Sequence, residues 1–338
     1  MLTPPSPPFA LFAMNPSYLH ELFPPGLMRR LQQLAQIDPA LVVQDFSDPT
    51  AVEALGRAEV LITGWGCPPV DARALAAAPR LRAVLHAGGS VRHLVGEPFW
   101  ERCLTLSSAV RANALPVAEY TLAMILLAGK DAFGLRERYR AAHVHPAPTQ
   151  YAGVGNFGRR VGLIGASRVG RRVLELLRPL DLSVSLHDPY VDVAEAAELG
   201  ATPLDLDELL CTSDIVSVHA PDIPQTHRML NRERLALIPD GGVLINTSRG
   251  ALIDHGALTE ELVNGRLSAI LDVTDPEPLP AHSPLYRLPN VFLTPHIAGS
   301  LGNELARLGG TVVTELERMT AGLPPAHPVH RAGLAISA

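Results

Sequence analysis

The chain has 338 residues, 47% hydrophobic and 18% charged, with 34 acidic against 28 basic side chains and a net charge of −6. That length suits about two domains with a sizeable core, and the acidic balance excludes the basic footprint of a nucleic-acid binder. Cys67, Cys103 and Cys211 stand apart from one another, which excludes a disulfide framework and a zinc cluster and predicts inert thiols in a reducing, cytoplasmic setting.

The first ten residues are proline-rich and read as loose. Short strands are predicted over 9–14, 41–44, 60–63 and 81–85, with helices over 27–35 and 70–77. This alternation implies a parallel sheet with crossover helices. A helical pattern runs over 117–140, with Pro116 at its start and Glu119 in its first turn, both suited to a helix N-terminus. The longest apolar stretch, 120–128, is too short to span a bilayer, and the basic start and cleavage site of a secretory signal are missing, so no membrane role is expected. Lys130, the single lysine, sits at the end of a helix-like run. Residues 143–158 form a Pro-, Gly- and His-rich loop whose His143 and His145 lack acidic or Cys partners, so no metal site is expected.

An apolar run from Val161 to Ile164 then ends in Gly165-Ala-Ser-Arg-Val-Gly170, and a helical pattern follows. Strand, glycine turn and helix form the phosphate cradle of a dinucleotide fold, where the free N–H groups of the helix start meet a pyrophosphate. Ser167 takes the place of the usual middle glycine. It narrows the approach and offers a hydroxyl to a phosphate oxygen. A second predicted strand, from residue 182, ends at Asp188, whose carboxylate suits ribose hydroxyls and repels a 2′-phosphate, favouring NAD over NADP.

Four later strands, over 215–219, 243–246, 269–272 and 291–294, each end in a polar group, and helices are predicted between them at 206–210, 232–237 and 255–264. Ligands of open parallel sheets bind beyond the carboxyl ends of strands. One strand end carries Arg249, which can fork onto a carboxylate. The next carries Asp272 and Glu277, and the last His296. Singly these residues read as a salt-bridge arginine, a solvated acid and a core histidine. Together they form the minimum set for hydride transfer on a 2-hydroxy acid: Arg249 anchors the carboxylate, His296 exchanges the proton, and Glu277 fixes the tautomer and stabilises the charged imidazole. The pattern after residue 301 is helical again, and no further domain is read after Pro324.

On the glycine turn, Ile215-Val-Ser-Val-His-Ala-Pro221 through Thr226, the stretch from Leu237 to Gly250, and the Glu277 and His296 environments, the chain resembles the D-isomer-specific 2-hydroxyacid dehydrogenases. Asn113 to Glu119 is similar to that family's crossing segment. The resemblance implies an α/β protein of two Rossmann-like or flavodoxin-like parallel-sheet domains with a cleft between them. The substrate domain would be discontinuous, 1–113 with 300–338, around an NAD-binding domain over 114–299. It implies catalytic Arg249, Glu277 and His296. Cofactor contacts would come from Gly165, Ser167, Arg168, Val169, Asp188, His219, Ala220, Pro221, Thr226, Thr247, Ser248, Gly299 and Asp272, the last holding the nicotinamide carboxamide. The backbone of Gly88, Gly89 and Ser90 would join Arg249 in binding the substrate carboxylate. Arg92 stands where the family commonly has Asp, and reads as a contact for a second acidic group or as a solvated arginine. Trp65 and Trp100 read as core or cleft-wall residues.

The implied activity is NAD-dependent interconversion of a D-2-hydroxy acid and its 2-keto acid, of the glyoxylate/hydroxypyruvate reductase type or broader, in a cytoplasmic homodimer. Alternatives are a phosphoglycerate dehydrogenase-like enzyme and an NAD(H)-sensing protein of the co-repressor type. A formate dehydrogenase ranks lower, because that branch has glutamine at the place of Glu277.

Overall fold

The structure, a computed structural model, describes residues 6–334. The expected looseness of the first ten residues partly concerns residues 1–5, which lie outside the described residues, as do 335–338 of the expected first domain. Residues 9 and 10 are ordered: Phe9 bridges Gln36, and Ala10 opens the first strand. The described residues divide into two compact units, one of residues 6–114 with 300–334 and one of 115–299.

In the first unit, β1 (Ala10–Ala13), β2 (Val42–Val43), β3 (Val60–Thr63), β4 (Ala83–His86) and β5 (Thr105–Ser108) form one parallel sheet in the order β2-β1-β3-β4-β5. Its β1, β3 and β4 are mostly apolar and buried throughout, as parallel strands covered by crossover helices must be. Short side chains start those helices. Asp48 accepts from the N–H groups of Thr50 and Ala51 ahead of Pro49–Arg57, and Asp71 accepts from Ala74 ahead of Ala72–Ala77. Helix Leu305–Thr320 belongs to this unit. Leu305, Leu308, Val312, Val313 and Leu316 recur at helical spacing and are buried against Phe12, Leu22 and Phe23, each full burial stabilising the unit by about 1.5–3 kcal/mol. The following tail pairs with β5 through the Ser107–Pro328 bridge, and buried Glu315 accepts from the N–H groups of Ala326 and His327.

The second unit holds seven parallel strands: β6 (Arg159–Ile164), β7 (Leu182–His187), β8 (Thr202–Pro203), β9 (Ile215–Val218), β10 (Val243–Asn246), β11 (Ser268–Leu271) and β12 (Val291–Leu293). Their order is β12-β11-β10-β9-β6-β7-β8. The order reverses between β6 and β9, which pair directly, so the topological switch point lies there.

Two expectations are corrected around residue 116. The helix predicted over 117–140 is two helices, Val110–Gly129 and Ala132–Ala142, and Pro116 lies inside the first. Burial of Ala114, Val117 and Ala118 offsets the roughly 3 kcal/mol cost of an interior proline. The break comes where the carbonyl of Gly129 accepts from Gly155 N–H at 2.7 Å, Asn156 Nδ2 donates to Leu126 O, and Asp131 turns left-handed at φ 45°. The apolar stretch is also longer than expected. By length and composition, Val110–Gly129 suffices to cross a membrane. Its apolar residues have a destination within the fold, since Ala118, Met124 and Ile125 lie in the core cluster with Val161, Leu163 and Ile245.

Candidate active site

Six segments leave the carboxyl edge of the seven-stranded sheet, and they carry the residues singled out in the second half of the sequence. After β6, Gly165 adopts φ +99°, a conformation that L side chains rarely adopt. A Cβ there would lie 2.7 Å from Ala220 N, so the turn lies flat against the end of β9 across the switch point. Ser167 caps helix Arg168–Leu177, its Oγ accepting from Gly170 N–H at 3.3 Å. That bond uses a lone pair and leaves the hydroxyl hydrogen to donate outward. Asp188, one residue past β7, accepts from Ala166 N–H at 2.7 Å through Oδ2 and from Tyr190 N–H at 2.8 Å through Oδ1. The acid thus ties the glycine turn to its own loop.

These segments wall a groove of about 900 Å³, within the range of small-molecule sites. Gly165, Ser167, Asp188, Ala220, Pro221 and Thr226 line it. Arg168, Val169, His219, Thr247, Ser248, Asp272 and Gly299 do not. The His219 ring is sealed: Nε2 lies 2.9 Å from Ser217 Oγ, Nδ1 has no partner among the described residues, and burial drives its pKa down to about 3. What His219 presents to Gly165 is its backbone. The groove also takes in Arg171, Pro189, Tyr190 and Ile223, which the motif reading passed over. Tyr190 had a legible signal, lying two residues past the acid at a strand's carboxyl end. Arg171 had none, because its place depends on its bonds to Ala166 O and Glu195.

A glycine turn whose Cβ space is filled by the next strand, a capped helix start and an acid at the second strand end are the parts a dinucleotide needs. The residues present therefore fit the expected cofactor.

The remaining segments build a second cluster. After β10, the buried Asn246 side chain accepts from Ser248 N–H and donates to Arg249 O, clamping the turn that carries the arginine. Arg249 Nη1 donates to Ser248 O at 2.6 Å, and Thr247 Oγ1 lies 3.0 Å from Thr121 Oγ1. Gly250 packs on the loop after β11 so closely that a Cβ would lie 2.1 Å from Thr274 C and O. That loop carries Asp272 and Glu277. His296, past β12, has φ +57° and places Nδ1 2.7 Å from Glu277 Oε1. A carboxylate only accepts, so Nδ1–H is the donor and Nε2 is the nitrogen left for exchange with a ligand.

In the first unit, Gly88, Gly89 and Ser90 follow β4. Ser108 Oγ lies 3.1 Å from Gly88 O and 2.6 Å from Gly89 O. Arg92 is exposed, and its guanidinium donates to Leu334 O at 3.0 and 2.7 Å. Trp65 packs against Tyr18 with ring centroids 5.4 Å apart, and Trp100 meets Phe99 edge-on at 5.2 Å. Trp65 follows β3 at the sheet's carboxyl edge, whereas Trp100 packs against the core around Phe99 and Leu106.

Residues 122–298 match the sequence profile of the D-isomer specific 2-hydroxyacid dehydrogenase NAD binding domain. The chain is 34% identical over 254 residues, 75% of its length, to D-3-phosphoglycerate dehydrogenase of Mycobacterium bovis, of which the match covers 48%. It is 28% identical over 299 residues, 88% of its length, to the Methanocaldococcus jannaschii protein of the same name, with 55% of that protein covered. The chain thus spans about half the length of these curated relatives. The crystal structure of the TT0316 protein from Thermus thermophilus is similar over 95% of this chain and 99% of that one, at 30% identity and a TM-score of 0.75. With the NAD-binding profile matched across more than half its length, the chain belongs to the D-isomer specific 2-hydroxyacid dehydrogenase family.

Proposed function

We propose that the chain is an NAD-dependent oxidoreductase interconverting a D-2-hydroxy acid and its 2-keto acid. The observation that carries this reading is the 2.7 Å pair of His296 Nδ1 and Glu277 Oε1 at the carboxyl edge of the sheet that also presents Arg249. NADH, when bound, supplies the hydride that adds to C2. Glu277 holds the imidazole with Nδ1 protonated, so protonated His296 gives its Nε2 proton to the carbonyl oxygen as it becomes the hydroxyl. Arg249 holds the substrate carboxylate and polarises the adjacent carbonyl. The Gly88, Gly89 and Ser90 N–H groups are further donors for a substrate carboxylate, so the first unit is read as the substrate domain and the second as the cofactor domain. Asp272 accepts three hydrogen bonds from the protein, leaving one of its roughly four acceptor positions for the nicotinamide carboxamide.

The names of the matched relatives favour one narrower reading, a phosphoglycerate dehydrogenase-like substrate. A panel of 2-keto acids that includes 3-phosphohydroxypyruvate, with NADH oxidation followed by absorbance and NADPH in parallel, separates the readings. Turnover with NADH on any member supports the dehydrogenase. Stoichiometric NADH binding without turnover on the whole panel overturns it in favour of a sensing protein.

Two further proposals follow. The protein is a homodimer, because helix Ala132–Ala142 has no fully buried residue, its later turns are exposed, and Phe157 is 91% exposed, surfaces suited to a second copy. Light scattering at the monomer mass would overturn this. The protein works in the cytoplasm, where its free thiols Cys67, Cys103 and Cys211 stay reduced. Fractionation of cells expressing a tagged chain tests that assignment.

A further inference from the structure

His86 ends β4 two residues before Gly88 and is 2% exposed. Its Nδ1 lies 2.9 Å from Oγ1 of Thr63, its register partner on β3. Thr63 is fully buried, and its hydroxyl has no second partner among the described residues. If Nδ1 carried a proton and donated, the Thr63 hydrogen would be left unpaired in the interior at a cost of about 1–3 kcal/mol. Thr63 therefore donates to Nδ1, and a neutral imidazole so held carries its proton on Nε2. The ring stays neutral, because burial, reinforced by His93 with its ring 6.5 Å away, drives the pKa down to about 3.

Nε2 faces the loop that follows. A Cβ on Gly88 would lie 2.5 Å from it, so only glycine leaves this nitrogen uncovered. Ser108 Oγ lies within hydrogen-bonding distance of the carbonyls of Gly88 and Gly89. In trans peptides, this turns the N–H groups of Gly89 and Ser90 the opposite way. Among the described residues, neither the N–H groups of Gly88, Gly89 and Ser90 nor His86 Nε2 has an acceptor within the chain. Converging donors without an acceptor are the signature of an anion site.

We propose that His86 Nε2–H is a further substrate-binding donor, adding an uncharged imidazole N–H to the Gly88–Ser90 amides around the carboxylate of the 2-keto acid. This rests on the assignment of that loop to the substrate carboxylate. An uncharged donor binds the carboxylate without taking part in proton exchange, so the two tasks are divided between two histidines, His86 and His296.

The test compares His86→Phe, which fills the ring's space without a donor, with His86→Gln, which restores a donor at the ε position. A hydrogen bond to a charged group predicts a rise of about tenfold to hundredfold in KM for the best 2-keto acid in His86→Phe. The NADH dissociation constant should be unchanged, and His86→Gln should recover much of the loss. Wild-type KM in a folded His86→Phe overturns the proposal. If that variant does not fold, nitrogen NMR of the wild-type imidazole decides: a protonated Nε2 from pH 5 to 8 supports it, and a protonated Nδ1 overturns it. If the wild type turns over no 2-keto acid, the dehydrogenase reading has failed separately. Oxamate binding to the NADH-loaded protein, followed by NADH fluorescence, then decides. Binding that weakens about tenfold or more in His86→Phe supports the donor; equal binding, or none by the wild type, overturns it.

Discussion

The buried carboxylate of Asp272 lies 2.7 Å from the hydroxyl of Thr294, which donates to it. The same carboxylate accepts from Ile297 N–H at 2.8 Å and Ala298 N–H at 2.9 Å. These three donors bracket His296, whose left-handed φ of +57° costs about 1–2 kcal/mol in a residue with a Cβ. Hydrogen bonds to a charged acceptor contribute roughly 1.5–3 kcal/mol each, enough to offset that strain and fix the direction of the imidazole. The pairing of His296 with Glu277 thus depends on Asp272, whose backbone carbonyl also accepts from His296 N–H at 3.0 Å.

Replacing His296 by Gln removes the exchangeable proton while keeping a polar side chain of similar reach. Turnover should fall by about 10²–10⁴-fold, with NADH affinity nearly unchanged. Glu277→Gln should cost less, since the amide oxygen still accepts from Nδ1–H. Steady-state kinetics with fluorescence titration of NADH measures both. Wild-type turnover in His296→Gln would remove this residue from the mechanism.

In the proposed function Asp188 acts on the cofactor twice, through its charge and through its grip on Ala166 and Tyr190. Asp188→Ala should therefore lower the preference for NAD over NADP and also weaken NAD itself by about tenfold or more, because two N–H groups lose a charged acceptor. Asp188→Asn keeps one acceptor oxygen and should weaken NAD less. An unchanged NAD/NADP ratio in Asp188→Ala would sink the ribose assignment.

Gly250→Ala tests whether the arginine turn and the Glu277 loop move as one. The new Cβ meets backbone atoms of Thr274 at 2.1 Å, and no side chain can swing aside to relieve it. The expected cost is about 1–3 kcal/mol in urea unfolding, with kcat lowered at least tenfold as Glu277 shifts from His296. Unfolding and kinetics both at wild-type values would show that the loops are independent.

Acid should unfold the protein through its buried neutral histidines. Burial lowers the pKa of His86 and His219 from 6.5 to about 3, and burial lowers that of His255 as well. Below pH 6.5 the unfolded chain takes up protons that the folded chain refuses, so stability is full above that value and falls as pH drops toward 3. His86 and His219 each cost about 1.4 kcal/mol per pH unit in that window. Urea midpoints from pH 7 to pH 4 measure the slope, and His219→Asn should flatten it by about one group's share. An equal slope in that variant would mean that His219 is protonated in the fold.

Much of the site was readable in order along the chain. Gly165, Asp188, Arg249, Glu277 and His296 each sit just past an apolar run, and in a parallel sheet every such position comes out at the same edge. The helix at Val110–Gly129 was misread because proline normally opens a helix, and local preference gave way there to burial on both sides of Pro116. His86 reads as an ordinary strand end, and Asp272 as a cofactor contact without its three donors, because nothing local distinguishes a sealed carboxylate from a solvated one.

The sequence by itself determined the alternation of strands and helices, the glycine turn and the polar strand ends, since these depend on periodicity and on residues close together in the chain. Only the tertiary structure decided what each polar group touches. Thr63 meets His86, Asp272 meets Thr294, and Arg92 meets Leu334 across separations of 23, 22 and 242 residues. A hydrogen bond is specified by distance and direction to within tenths of an ångström, and those are set by the packing of whole strands and helices.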